Sequence, residues 1–147
     1  MNVNDYEKSQ VVIPQDIMNI HKKIVFFMGA IAGWVDIDLI AYLASKRPNY
    51  AFVFVGDKVK SSLPENGNIF FLGRKKYGEL ANYLSHAKVA IIPFKENNLT
   101  AAVTPLKYYE YISAGVPVVS TMLPDLIHLK CSKVVSNKEE FLSAIDY

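Results

Sequence analysis

Apolar residues gather in short unbroken runs along this chain, and the runs alternate with stretches whose apolar positions recur at helical spacing. "IVFFMG" at 24–29, "AFVFVGD" at 51–57, "NIFFLG" at 68–73 and "KVAIIPF" at 88–94 lack the polar-apolar alternation of a half-exposed strand. Continuous hydrophobicity is what a parallel strand covered on both faces requires. "PVVST" at 117–121 and "KVVS" at 133–136 are shorter members of the same set. Between them, "DIDLIAYLASKRP" at 36–48 carries Ile37, Ile40, Ala41 and Ala44 at helical spacing, with Pro48 closing it. "YGELANYLSHA" at 77–87 sets Leu80, Tyr83 and Leu84 on one side, and "NKEEFLSAIDY" at 137–147 is a closing helix capped by Asn137 or Ser136. A further helix falls at about 104–114, preceded at 95–103 by a loop or loosely helical lead-in.

Strands alternating with helices predict an α/β fold: a doubly wound parallel sheet, Rossmann-like, in a single three-layer domain. Such sheets take ligands at the carboxyl ends of their strands, where the strand order reverses. Residues 1–23 are mostly polar and have no clear period apart from "VVI" at 11–13. They read as a linker-like segment leading from something that precedes, which leaves 24–147 as the domain.

The longest apolar run, "IVFFMGAIAGWV" at 24–35, has 12 residues, against the roughly 20 that a membrane span needs. Asp5, Glu7 and Asp16 precede it, which argues against a signal peptide. Sixteen basic against 14 acidic residues leave a net charge of +2, too little to call for nucleic acid or an anionic membrane as partner. Cys131 stands alone, and His21, His86 and His128 lie far apart, so no intrachain disulfide, cysteine cage or metal-ligand spacing is present. A cytoplasmic chain is expected.

The segment "TPLKYYEYISAGVPVVST" at 104–121 holds the candidate chemistry. Thr104 can cap the helix, Pro105 suits its first position, Gly115 ends it and Pro117 prevents its continuation. Leu106, Tyr109 and Ile112 form the expected core-facing stripe, with Lys107, Glu110, Tyr111 and Ala114 on another side. Lys107 and Glu110 at this spacing can be an exposed pair contributing a few tenths of a kcal/mol. The alternative rests on position: the helix N-terminus lies at the carboxyl edge of the sheet, where free N–H groups and the dipole attract phosphate. Lys107 then adds a cation, and Glu110 one turn deeper accepts hydrogen bonds from ribose hydroxyls. "GAIAGW" at 29–34 also leaves a strand for a helix, and Gly29 and Gly33 permit close backbone approach or a tight turn. In "GRKKYG" at 73–78, Arg74, Lys75 and Lys76 are solvated charge or border the same crevice. Asp36 and Asp38 suit a helix start, and His86 and Cys131 read as structural.

Taken together, "IIPF…LT…TPLKYYEYISAGVPVVST", "FMGAIAGWVDIDLI" and "NIFFLGRKKYGELANYLSHA" resemble the C-terminal, donor-binding half of a GT-B glycosyltransferase. The likeness spans about 22–146 and is greatest to retaining, group-1-type enzymes of bacterial surface polysaccharide synthesis. It implies that Glu110 binds the ribose and that the N–H groups of Leu106 and Lys107 hold the diphosphate, with Thr104 beside them. It implies also that the loop of Gly73, Arg74 and Lys75 lies beside the base, and that Gly29 faces the diphosphate and sugar. Asn98 and Thr100 are candidates for sugar contact. Many relatives carry a second glutamate eight positions before the ribose-binding one, where this chain has Ala102, and an Arg and a Lys after the first strand, absent from "GAIAGWVD".

The expected ligand is therefore a nucleotide-diphosphate sugar, a substrate rather than a cofactor, bound without metal because the helix dipole and basic side chains neutralise the diphosphate. The acceptor-binding N-terminal domain of a GT-B enzyme has no room in 147 residues. It is the expected missing partner, and any peripheral membrane contact would run through it. No catalytic residue is assigned. A sugar-nucleotide epimerase is one rival, though no acid/base pair is convincingly placed for it. A non-catalytic binding or assembly domain is the other, favoured by Ala102.

Overall fold

Why the apolar runs become strands is visible in how completely they are covered. In the computed structural model, which describes residues 13–59, 62–96, 106–123 and 132–146, β1 (Lys23–Met28) is buried from Ile24 onward. β2 (Tyr50–Val55) is buried at every position. Both lie inside a parallel sheet with β3 (Ile69–Gly73), β4 (Ala87–Ile92), β5 (Val118–Thr121) and β6 (Ser132–Val135), in the order β3-β2-β1-β4-β5-β6. The order reverses between β1 and β4, which opens a crevice at their carboxyl ends. β3 is an edge strand and only half-covered. Its exposed Phe71 lies under the Lys58 ammonium, 4.3 Å from the ring centre.

The helices are α1 (Ile37–Lys46), α2 (Leu80–Leu84, after a 3-10 turn at Tyr77–Glu79), α3 (Leu106–Ser113) and α4 (Lys138–Asp146). Asp36 caps α1, accepting from the Leu39 N–H at 3.0 Å, and Asn137 caps α4, accepting from the Glu140 N–H at 2.8 Å. α1 and α4 pack together on one face of the sheet, and right-handed crossovers put α2 and α3 on the other. Phe26 of β1 stacks on Tyr83 of α2, while its neighbour Phe27 meets Phe54 and Phe94. The predicted α/β class and doubly wound parallel sheet are therefore what the chain adopts.

Two expectations need correction. The helix expected at 77–87 is shorter, because the chain is already paired with β1 at Ala87. Residues 13–22 are not detached from the domain: Ile17 is buried in its core, inside a turn closed by its N–H bond to the Pro14 carbonyl.

Candidate functional site

The carboxyl ends of β1 and β2 meet through glycine. Gly29, with φ 137°, follows β1, and Gly56, with φ 143°, follows β2. A Cβ on Gly56 would lie 1.9 Å from the Gly29 carbonyl oxygen, so Gly56 tolerates no side chain without backbone movement. The loop after Gly29 is held on both sides. Ile31 donates to the Asp57 carbonyl at 2.7 Å and Asp36 to the Pro93 carbonyl at 2.8 Å, while Ile31, Ala32 and Val35 are buried. Gly33 has open space around it, so of the two glycines only Gly29 makes a close approach.

α3 runs from the carboxyl edge back toward the start of β5, and its first turn meets Gly29. The Lys107 Nζ occupies the notch that a side chain at Gly29 would fill, 2.1 Å from the position of that Cβ. It lies 5.6 Å from the centre of the Phe27 ring. Burial pushes this ammonium below the ordinary lysine range, and the Glu110 carboxylate pulls it partly back. Among the described residues Lys107 makes no hydrogen bond or ion pair, so the simple exposed pair with Glu110 does not form. A half-buried cation with no acceptor among the described residues, at a helix N-terminus and a strand-order reversal, can receive an anion.

The face of α3 differs from expectation. Tyr108 and Tyr111 are buried, Ile112 is half-buried and Tyr109 is 52% exposed. The helix is turned by about one position because the Tyr111 hydroxyl accepts the Met28 N–H at 3.0 Å, which lets a tyrosine fill a fully buried place. Glu110 is half-buried, one turn below Lys107. Leu106 contributes its backbone as the first residue of α3. Asn98, Thr100, Ala102 and Thr104 lie outside the described residues.

Arg74 and Lys75 do not converge. Arg74 pairs with Asp57 at 2.8 Å across the ends of β3 and β2, with its side chain 79% exposed. Lys75 turns to Asp16 at 2.7 Å. The structure thus brings Gly29, Lys107 and Glu110 to one place, Arg74 to the same edge of the sheet, and Lys75 to a separate contact. Sequence reasoning missed Phe27, Gly56, Asp57, Asp16 and the Tyr111 hydroxyl. The repeated strand-then-glycine pattern at Met28-Gly29 and Val55-Gly56 was the available signal for Gly56 and Asp57. Glu96 accepts the Met122 N–H at 3.2 Å and so joins the ends of β4 and β5. Among the described residues no group of three or more His, Cys, Asp or Glu side chains could hold a metal ion. No helix there is long and apolar enough to cross a membrane.

Comparison with known proteins adds a lineage to this geometry. Residues 21–147 match the family model described as glycosyl transferases, group 1. A 104-residue stretch is 32% identical to TuaH of Bacillus subtilis (strain 168), named for a glycosyltransferase role in teichuronic acid biosynthesis. That match covers 67% of this chain and 26% of TuaH. Among solved structures, WaaG, a glycosyltransferase of lipopolysaccharide biosynthesis, superposes with a TM-score of 0.68 at 18% identity, over 90% of this chain and 40% of WaaG. HepE from Anabaena, solved with UDP-glucose, gives 0.66 at 14% identity, over 99% of this chain and 45% of HepE. At those identities the two structures speak for the fold. The chain spans about a quarter of the sequence relative and less than half of either solved protein.

Proposed function

The chain belongs to the group 1 glycosyl transferases, and on that premise we propose that it is the donor-binding half of such an enzyme, holding a nucleotide-diphosphate sugar for hexosyl transfer. The observation that carries this reading is the Lys107 ammonium in the Gly29 notch, uncommitted among the described residues, beside the first turn of α3. There the N–H groups of Leu106 and Lys107 and the Lys107 charge receive the diphosphate. Closing the site around a leaving nucleoside diphosphate puts those dipoles and that cation where negative charge develops. Glu110 accepts hydrogen bonds from the ribose, and Arg74 borders the base side. Thr104, Asn98 and Thr100 complete the proposal on the resemblance alone. The HepE structures with UDP, glucose and UDP-glucose support the ligand class by kinship of fold.

The acceptor half, and any contact with a membrane, are proposed to belong to a further domain. This chain alone then transfers no sugar. The names of TuaH and WaaG suggest surface polysaccharide assembly as the setting.

The test is calorimetry with UDP, GDP, ADP and dTDP, with and without chelator. One or more should bind, equally in both conditions, since protein groups supply the neutralising charge. Glu110→Gln should weaken the best binder by about 10- to 150-fold, the loss of roughly 1.5–3 kcal/mol for bonds to a charged acceptor. The variant should also lose discrimination against the 2′-deoxy counterpart. Absence of binding by every nucleotide would leave a non-catalytic assembly domain, and binding with no Glu110–ribose coupling would mean a different carboxylate.

A further inference from the structure

Gly73 ends β3 with φ 78°, and the next two cations part company. Residues 74–76 belong to no strand or helix. What holds them is lateral. The Lys75 Nζ meets Asp16 at 2.7 Å, the side chains being 21% and 32% exposed, and lies 5.8 Å from the centre of the Tyr83 ring. The Tyr83 hydroxyl donates to the same carboxylate at 2.7 Å. Asp16 is itself fixed, because Ile17 beside it is buried in the core and Ile20 donates to the Ile17 carbonyl at 3.0 Å. An open cleft of about 480 Å³ lies along this contact, lined by Pro14, Asp16, Lys75, Glu79 and Tyr83.

The charges agree with a firm contact. Burial raises the Asp16 carboxyl, but the bonds from Lys75 and Tyr83 overcome it and hold it below the ordinary range. The bond to Asp16 raises Lys75, and burial followed by Asp16 pushes the Tyr83 phenol up to about 12. A lysine so engaged is a poor candidate for a second anion, since it would have to leave a carboxylate and an aromatic face.

We propose that Asp16 is a positioning residue for the nucleotide site: through Lys75 it fixes the loop 74–76 at the carboxyl edge, so that Lys75 is an anchor and Arg74, largely exposed in its pair with Asp57, is the cation that can exchange its partner for the ligand. The inference rests on the donor-binding reading and deepens it. Lys75 acts on the site through the backbone of its own loop, so its loss disturbs the base side without touching the diphosphate.

The experiment compares the full chain with Asp16→Asn, Lys75→Met, the double variant and Lys75→Arg, using the best-binding nucleoside diphosphate and its monophosphate. Amide hydrogen exchange of residues 73–77 is followed in parallel. Each single loss should weaken both nucleotides by the same factor, about 2- to 5-fold, as for one partly exposed pair. The double variant should be no weaker than either, and Lys75→Arg should retain affinity. Exchange at 73–77 should quicken in Asp16→Asn and Lys75→Met. Selective loss of diphosphate binding in Lys75→Met, with Asp16→Asn unaffected, would make Lys75 a phosphate contact and overturn the proposal. Unchanged affinity in both, with stability alone reduced, would overturn it too. If the unaltered chain binds no nucleotide, the donor-binding reading fails, and the exchange arm still decides whether Asp16 holds the loop: unchanged protection means it does not.

Discussion

The absence of a side chain at Gly29 decides what can stand at the switch point. Its backbone, at φ 137°, is strained for any L side chain, and the space a Cβ would take holds the Lys107 Nζ and, at 2.6 Å, its Cε. The obstacle is the end of a flexible side chain, so Gly29→Ala should fold with Lys107 displaced, at a cost of about 1–3 kcal/mol from the backbone. Gly56 is a different case. The atom facing its Cβ is the Gly29 carbonyl oxygen, which is fixed by the turn. Gly56→Ala should therefore lose more stability than Gly29→Ala. Removing Lys107 should ease Gly29→Ala and leave Gly56→Ala as costly as before. Urea denaturation of these variants, singly and combined with Lys107→Ala, measures all of this, and a larger loss at Gly29 would mean that the notch is not where the lysine rests.

At the scale of elements, α3 is where periodicity and structure disagree. Its apolar spacing marks Leu106, Tyr109 and Ile112, yet Tyr108 and Tyr111 face the sheet and Tyr109 faces water. A periodicity count treats three tyrosines as equivalent, whereas their burial depends on which hydroxyl finds a partner. Tyr111 finds the Met28 N–H, 83 residues away in sequence, a pairing no local pattern contains. Tyr111→Phe should leave that buried donor unsatisfied and cost about 1–3 kcal/mol. Tyr109→Ala should cost at most about 1 kcal/mol, chiefly its edge contact with Tyr108. Thermal denaturation ranks them, and the reverse order would restore the stripe read from spacing. β1 and β2 were legible because burial on both faces leaves a mark at every position. The Gly29, Lys107 and Glu110 cluster was legible only in part: each residue could be named, but the orientation of Lys107 toward Gly29 depends on helix rotation. Asp16 left no trace as a contact, since its partners Lys75 and Tyr83 are far from it in sequence and its own segment has no period.

At the scale of the whole molecule the two edges of the sheet do different work. The carboxyl edge carries the glycine notch and Lys107, uncommitted among the described residues, while the amino edge is closed by charge. Arg47 at the end of α1 holds Asp146 at the end of α4, with its Nε at 2.8 Å from the carboxylate, and the Tyr50 hydroxyl at the start of β2 donates to it at 2.9 Å. Lys88 near the start of β4 donates to the Ile145 carbonyl. The hydrogen bond from Arg47 holds the Asp146 carboxyl below its ordinary value, against burial, with Tyr50 assisting. A carboxyl depressed in the folded state adds stability above its unfolded pKa, about 3.9, and loses it as pH falls through the folded value. The contribution should be small, because both side chains are partly solvated. Asp146→Asn should therefore lower the urea midpoint at neutral pH, and the gap should narrow below about pH 4 and close once Asp146 is protonated in both states. Because this contact sits at the opposite edge from Gly29 and Lys107, nucleotide affinity at neutral pH should be the same in the variant and the parent. A pH-independent gap would assign the effect to packing rather than charge, and a loss of affinity would mean that the two edges are coupled through α1 and α4.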